Sequence, residues 1–69
     1  MRNSLRFERA RKGLSQEELA QKVGVSRQTI YAIETGRFEP SGVLLLKLAE
    51  VLEVKVEQLF YLEDGDWSF

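Results

Sequence analysis

The chain contains no cysteine and no histidine. The first absence excludes disulfide stapling and thiol chemistry. The second removes the imidazole on which general acid–base catalysis most often relies, and together they leave no usual zinc site. No apolar run approaches the roughly 20 residues needed to span a bilayer. Met1-Arg2-Asn3-Ser4 leads straight into patterned sequence without the apolar stretch of a signal peptide. A soluble, cytoplasmic chain is expected. There is no phosphate-binding loop and no pair of carboxylates in an apolar setting, so the chain is not expected to be an enzyme or to carry a cofactor. The acidic residues Glu63, Asp64 and Asp66 fit no metal-binding loop, and they read as a solvated chain end.

What is present suffices for one small domain. Of 69 residues, 43% are hydrophobic, enough for a packed helical core. The net charge of −1 hides a division. Residues 1–40 hold eight Lys/Arg against five Asp/Glu, a balance of +3; residues 41–69 hold two against six, a balance of −4. An anionic polymer is therefore attracted to one half and repelled by the other.

The basic half carries the most specific pattern. Gly24 follows a helical stretch where the chain must turn through positive φ, which glycine does without a Cβ penalty. Ala20 is small enough to let two helices cross closely. Ser26 offers a hydroxyl to cap the next helix, and Ile30 and Ile33, three apart, give that helix one apolar stripe. With Leu19, Val23 and Val25 they close a small core between two helices. This is a helix-turn-helix, the unit that sets its second helix in the major groove of DNA.

Five helices account for nearly all the chain, and no strand pattern is evident, so the fold class expected is all-α. The first helix spans about Asn3 to Lys12 and stops at Gly13. The second opens on a capping box, Ser15-Gln16-Glu17-Glu18, and ends at Gly24. The third starts after Ser26 and ends at Gly36, again a glycine just past the helix. Pro40-Ser41 precedes a fourth, whose Leu44, Leu45, Leu48, Ala49 and Leu52 recur at three- and four-residue steps. A fifth, near Val56 to Tyr61, presents Val56, Leu59 and Phe60. Residues 1–62 form the DNA-binding domain in this reading, and residues 63–69 an acidic, aromatic tail.

Arg9, Gly13-Leu14-Ser15-Gln16, Leu19-Ala20, Gly24-Val25-Ser26, Ile30, Glu34, Gly36, Pro40-Ser41, Leu48-Ala49 and Leu52 together resemble the phage-repressor and Cro-like (Xre-type) helix-turn-helix family. The resemblance implies a compact five-helix, lambda-repressor-like domain in a cytoplasmic regulator that binds specific DNA sequences as a dimer on an inverted repeat, in most cases as a repressor. It also implies a phosphate contact at Gln16 and an ion pair between Arg9 and Glu34. Three positions depart from the family pattern. Glu8 stands where an apolar residue is usual, with Phe7 expected to supply the packing instead. Gly42 replaces a leucine and weakens the first turn of the fourth helix. Lys55 replaces a capping Ser or Thr, so the fifth helix is expected to start raggedly.

With Ile30 and Ile33 inward, helical geometry turns Gln28, Tyr31, Ala32 and Thr35 outward, with Arg27 at the edge near the helix start. Arg27 and Gln28 are the expected base readers. The guanidinium fork matches guanine O6 and N7, and the amide matches adenine N6 and N7. Ala32 can meet a thymine methyl, and Tyr31 a base edge or a phosphate. Gln16, at a helix start where free N–H groups favour an anion, joins Ser26, Thr29, Thr35 and Arg37 as an expected phosphate contact. Arg11 and Lys12 add longer-range attraction.

One such helix reads only a few base pairs, so a two-fold pair is expected. Its candidate seam is Val51, Val54, Phe60, Tyr61 and Leu62 with Trp67 and Phe69; Val43 and Leu46 are also apolar on the less buried side of the fourth helix. In the alternative arrangement Leu62, Trp67 and Phe69 fold back over the domain's own core. The competing function is a protein-interaction module, such as an antitoxin-like domain whose task is to hold a protein partner.

Overall fold

A computed structural model describes residues 1–68. Its elements, in chain order, are β1 (Arg2–Asn3), α1 (Leu5–Arg11), α2 (Gln16–Val23), α3 (Arg27–Glu34), α4 (Gly42–Leu52), α5 (Val56–Leu59) and β2 (Phe60–Tyr61), followed by a 3₁₀ turn over Asp64–Trp67. The expected Phe69 contact lies outside the described residues.

Local chemistry sets the helix ends. Ser15 Oγ accepts the Glu18 N–H at 3.0 Å, and Glu18 Oε1 accepts the Ser15 N–H at 2.8 Å, which completes the capping box. Ser26 Oγ accepts the Thr29 N–H at 3.2 Å, and Ser41 Oγ accepts the Leu44 N–H at 3.3 Å. Gly24 ends α2 at φ 78°, with the N–H groups of Gly24 and Val25 both on the Ala20 carbonyl. Despite Gly42 at its first position, α4 runs 11 residues. α5 starts at Val56 without a side-chain cap from Lys55, but Gln58 Oε1 accepts the Lys55 N–H at 3.0 Å.

The apolar stripes of these helices converge on one core. Leu5, Leu19, Ala20, Val23, Ile30, Ile33, Leu44, Leu48, Ala49, Leu52, Leu59 and Phe60 are buried, with Leu14, Val25, Leu45, Val51, Val54 and Val56 packed against them. At about 1.5–3 kcal/mol for each large side chain taken out of water, this cluster drives folding, and the turns decide its geometry. Ala20 of α2 is wholly buried in this core, where a longer side chain would force its neighbours apart.

Five expectations are corrected. Asn3 is not helical: β1 pairs antiparallel with β2, Arg2 opposite Tyr61 and Asn3 opposite Phe60. α5 correspondingly stops at Leu59 instead of Tyr61. Two-residue strands are too short to show an alternating pattern in sequence, and all-α still describes the architecture. Phe7 does not replace an apolar Glu8: it is 67% exposed, because it lies about 200° around α1 from buried Leu5. Glu8 instead accepts a hydrogen bond from Arg11 Nε at 2.8 Å. Phe60 belongs to the core at 5% exposure, so it is not free to form a dimer seam. Leu62 and Trp67 are exposed, so they do not fold back over the core.

The acidic tail meets the other end of the chain. The Met1 ammonium lies 2.9 Å from Asp66 Oδ2, 3.3 Å from Glu63 Oε1 and 3.5 Å from Glu39 Oε2. No helix among the described residues is long and apolar enough to cross a membrane.

Candidate nucleic-acid interface

α3 is a helix of two faces. Ile30 and Ile33 are fully buried, and the side chains that follow around the helix emerge on the opposite side. Gln28 and Tyr31 are exposed there, with Arg27 exposed at the edge near the helix start and Ala32 half-buried beside them. Arg27 and Gln28 occupy the first turn, and among the described residues neither side chain makes a hydrogen bond or ion pair. Tyr31, at 46% exposure, leaves its phenol accessible on an apolar body.

Around this ridge the polar groups differ in what they have left to offer. Ser26 Oγ and Thr29 Oγ1 lie 3.1 Å apart in one shared hydrogen bond. Two hydroxyls making one mutual bond leave one proton to donate outward. Thr35 Oγ1 donates to the Tyr31 carbonyl at 3.0 Å, which engages its single proton within its own helix. Arg37 is exposed just past the turn that ends α3.

Gln16 sits differently from a free surface amide. Its Nε2 donates to Glu34 Oε1 at 3.1 Å. The same carboxylate accepts Arg9 Nε at 2.6 Å on Oε2 and Arg9 Nη2 at 3.2 Å on Oε1, while Arg9 Nη1 donates to the Leu14 carbonyl at 2.8 Å. Arg9, Gln16 and Glu34 thus form one network across α1, α2 and α3. It leaves Gln16 one amide proton and its carbonyl oxygen for an outside partner. The meeting of Arg9 with Glu34 was expected. The entry of Gln16 and Leu14 into the same network was not, since nothing in local spacing signals a bond across three helices.

The helix-turn-helix family's sequence model matches residues 5–59. A relative from Methanocaldococcus jannaschii, described as the uncharacterised HTH-type transcriptional regulator MJ0272, is 50% identical over 66 residues, spanning 96% of this chain and all of that one. Among solved structures, the restriction-modification controller protein C.AhdI from Aeromonas hydrophila superposes with a TM-score of 0.75 at 43% identity, covering 81% of this chain and 85% of that one. The P22 c2 repressor, solved in complex with a synthetic operator, superposes at 0.74 with 32% identity, covering 77% and 80%. This chain belongs to the helix-turn-helix family of transcriptional regulators, on the Cro- and repressor-like branch.

Proposed function

We propose that the protein is a cytoplasmic, sequence-specific regulator that inserts α3 into the major groove of duplex DNA and represses transcription by covering a promoter. The observation that carries this reading is the pair of faces on α3: Ile30 and Ile33 are buried, so Arg27, Gln28 and Tyr31 stand outward. Arg27 and Gln28 read base edges, Tyr31 and Ala32 complete the contact surface, and Arg37 with the spare proton of Ser26–Thr29 meets flanking phosphates. Gln16 adds a phosphate contact from the start of α2. Thr35 contributes one only by releasing the Tyr31 carbonyl.

The acting species is a homodimer on an inverted repeat, because one α3 discriminates too few base pairs to find a single site. Exposed Tyr61, Leu62 and Trp67, with Val43 and Leu46 on the outer side of α4, supply apolar surface for that contact. Val51 and Val54 are half-buried against the core and contribute at its margin.

Selection of bound sequences from a random duplex library tests the proposal. A palindromic consensus with half-sites about 34 Å apart is expected. A protein that retains no duplex above background at low ionic strength refutes it.

A further inference from the structure

The carbonyl of Ile33, near the end of α3, has a partner from outside the helix-turn-helix. It accepts the Gly36 N–H at 3.0 Å within the turn that closes the helix. It also accepts Asn3 Nδ2 at 2.9 Å, from 30 residues away. The other end of that amide, Asn3 Oδ1, accepts the Leu5 N–H at 3.1 Å, one of the free donors at the start of α1. The backbone of Asn3 belongs to β1, opposite Phe60. The next residue bonds the C-terminal half without contacting α3: the Ser4 N–H donates to the Leu59 carbonyl at 2.9 Å and its hydroxyl to the Gln58 carbonyl at 2.8 Å. One small side chain therefore joins the start of α1, the end of α3 and the strand pair.

We propose that Asn3 is a positioning residue for base reading, fixing the end of α3 against the strand pair and thereby the angle at which Arg27 and Gln28 enter the groove. This rests on the reading of α3 as the base-reading helix. The buried side chains of α3 are Ile30 and Ile33, and its end is held from one side by Arg9 and Gln16 on Glu34 and from the other by Asn3 on the Ile33 carbonyl. Arg27 lies six residues from Ile33, roughly 9 Å at 1.5 Å per residue. Release of the Ile33 end lets α3 tilt about its middle, and a tilt of about 10° then moves the Arg27 backbone by about 0.8 Å, more than the roughly 0.5 Å tolerance of a preorganised contact. Attraction to phosphates is far less sensitive to such a shift, because it is electrostatic and independent of sequence. Asn3 thus acts on discrimination more than on overall attraction to DNA.

The test uses the full chain and a duplex carrying the consensus selected by the wild type. Asn3→Ser keeps an oxygen for the Leu5 N–H but is too short to reach the Ile33 carbonyl. Ser4→Ala removes the bond to Gln58 in the same region without touching α3, and so reports what mere local loosening does. Affinities are measured for the consensus duplex and for an unrelated duplex at one salt concentration. Asn3→Ser is expected to weaken consensus binding about tenfold while changing unrelated binding by less than about twofold. Ser4→Ala is expected to leave the ratio of the two affinities unchanged. If Asn3→Ser fails to fold, Asn3→Asp, which keeps the size and the acceptor but loses the donor, is measured in the same way. A wild-type ratio in the folded Asn3 variant overturns the proposal, as does an equal loss of the ratio in Ser4→Ala. A wild type that selects no consensus overturns the reading of α3 itself, and this inference with it.

Discussion

Arg9 and Glu34, 25 residues apart, close on each other through two hydrogen bonds, Nε to Oε2 at 2.6 Å and Nη2 to Oε1 at 3.2 Å. The side chains are 14% and 3% exposed, so the pair bolts α1 to the end of α3 largely out of water. Replacing both by apolar residues can be harmless, whereas removing one strands the other. Arg9→Ala leaves the Glu34 carboxylate with only the Gln16 amide, and a loss of about 3 kcal/mol is expected. Arg6 is exposed and makes no ion pair among the described residues, so Arg6→Ala is expected within about 0.5 kcal/mol of wild type. Urea unfolding of the two variants makes the comparison, and equal midpoints would refute it.

Glu53 ends α4 in the left-handed conformation, φ 58°, a place where glycine is unstrained. Its carboxylate pairs with Lys12 at the surface. Glu53→Ala and Glu53→Gly both remove that pair, so the difference between them isolates the backbone. Glu53→Gly is expected to exceed Glu53→Ala in stability by about 1 kcal/mol, measured by thermal unfolding. Alanine matching glycine would show that the turn tolerates a Cβ without strain.

Three exposed carboxylates are held below their ordinary pKa. The Ser15 backbone N–H lowers Glu18, Lys12 lowers Glu53, and the Glu63 backbone N–H lowers Asp66, with the Met1 ammonium adding to the last. A carboxyl depressed on folding stabilises the native state above its unfolded pKa, and that contribution is lost as pH falls through the folded value. Stability is therefore expected to hold down to about pH 4.5, the ordinary glutamate value, and to decline below it. Glu18→Gln keeps an acceptor for the Ser15 N–H but does not titrate. Its urea midpoint should fall less than that of wild type between pH 5 and pH 3, and identical declines would remove Glu18 from the account.

Arg37 is exposed beyond α3 with no ion pair among the described residues, as suits a phosphate contact. Arg37→Ala is expected to weaken binding to all duplexes alike and to reduce the slope of log K against log salt by about 1. A change confined to the consensus duplex would place Arg37 on a base instead.

The helix-turn-helix was legible because its signals are local. Ser15, Ser26, Gly24 and the two isoleucines each constrain their own turn, and the structure places every one of them as its chemistry demands. The outward direction of Gln28 then follows from helical geometry alone, while Arg27, at the edge of that face, is exposed in the first turn. What sequence did not disclose was long-range or very short. Asn3 reaches Ile33 across 30 residues, β1 and β2 are two residues each, and no periodicity encodes either. Phe60 shows a third difficulty. An aromatic near the chain end is equally suited to a seam or a core, and the fold buries Phe60 at 5% exposure while its neighbour Tyr61 stays outside.

The central claim is that the exposed first turn of α3 reads bases, and selection from one random duplex library with wild type, Arg27→Ala and Gln28→Ala tests it most directly. Each variant is expected to lose preference at one position per half-site, by about 1–3 kcal/mol, while the rest of the consensus persists. Three identical consensus sequences would contradict the account.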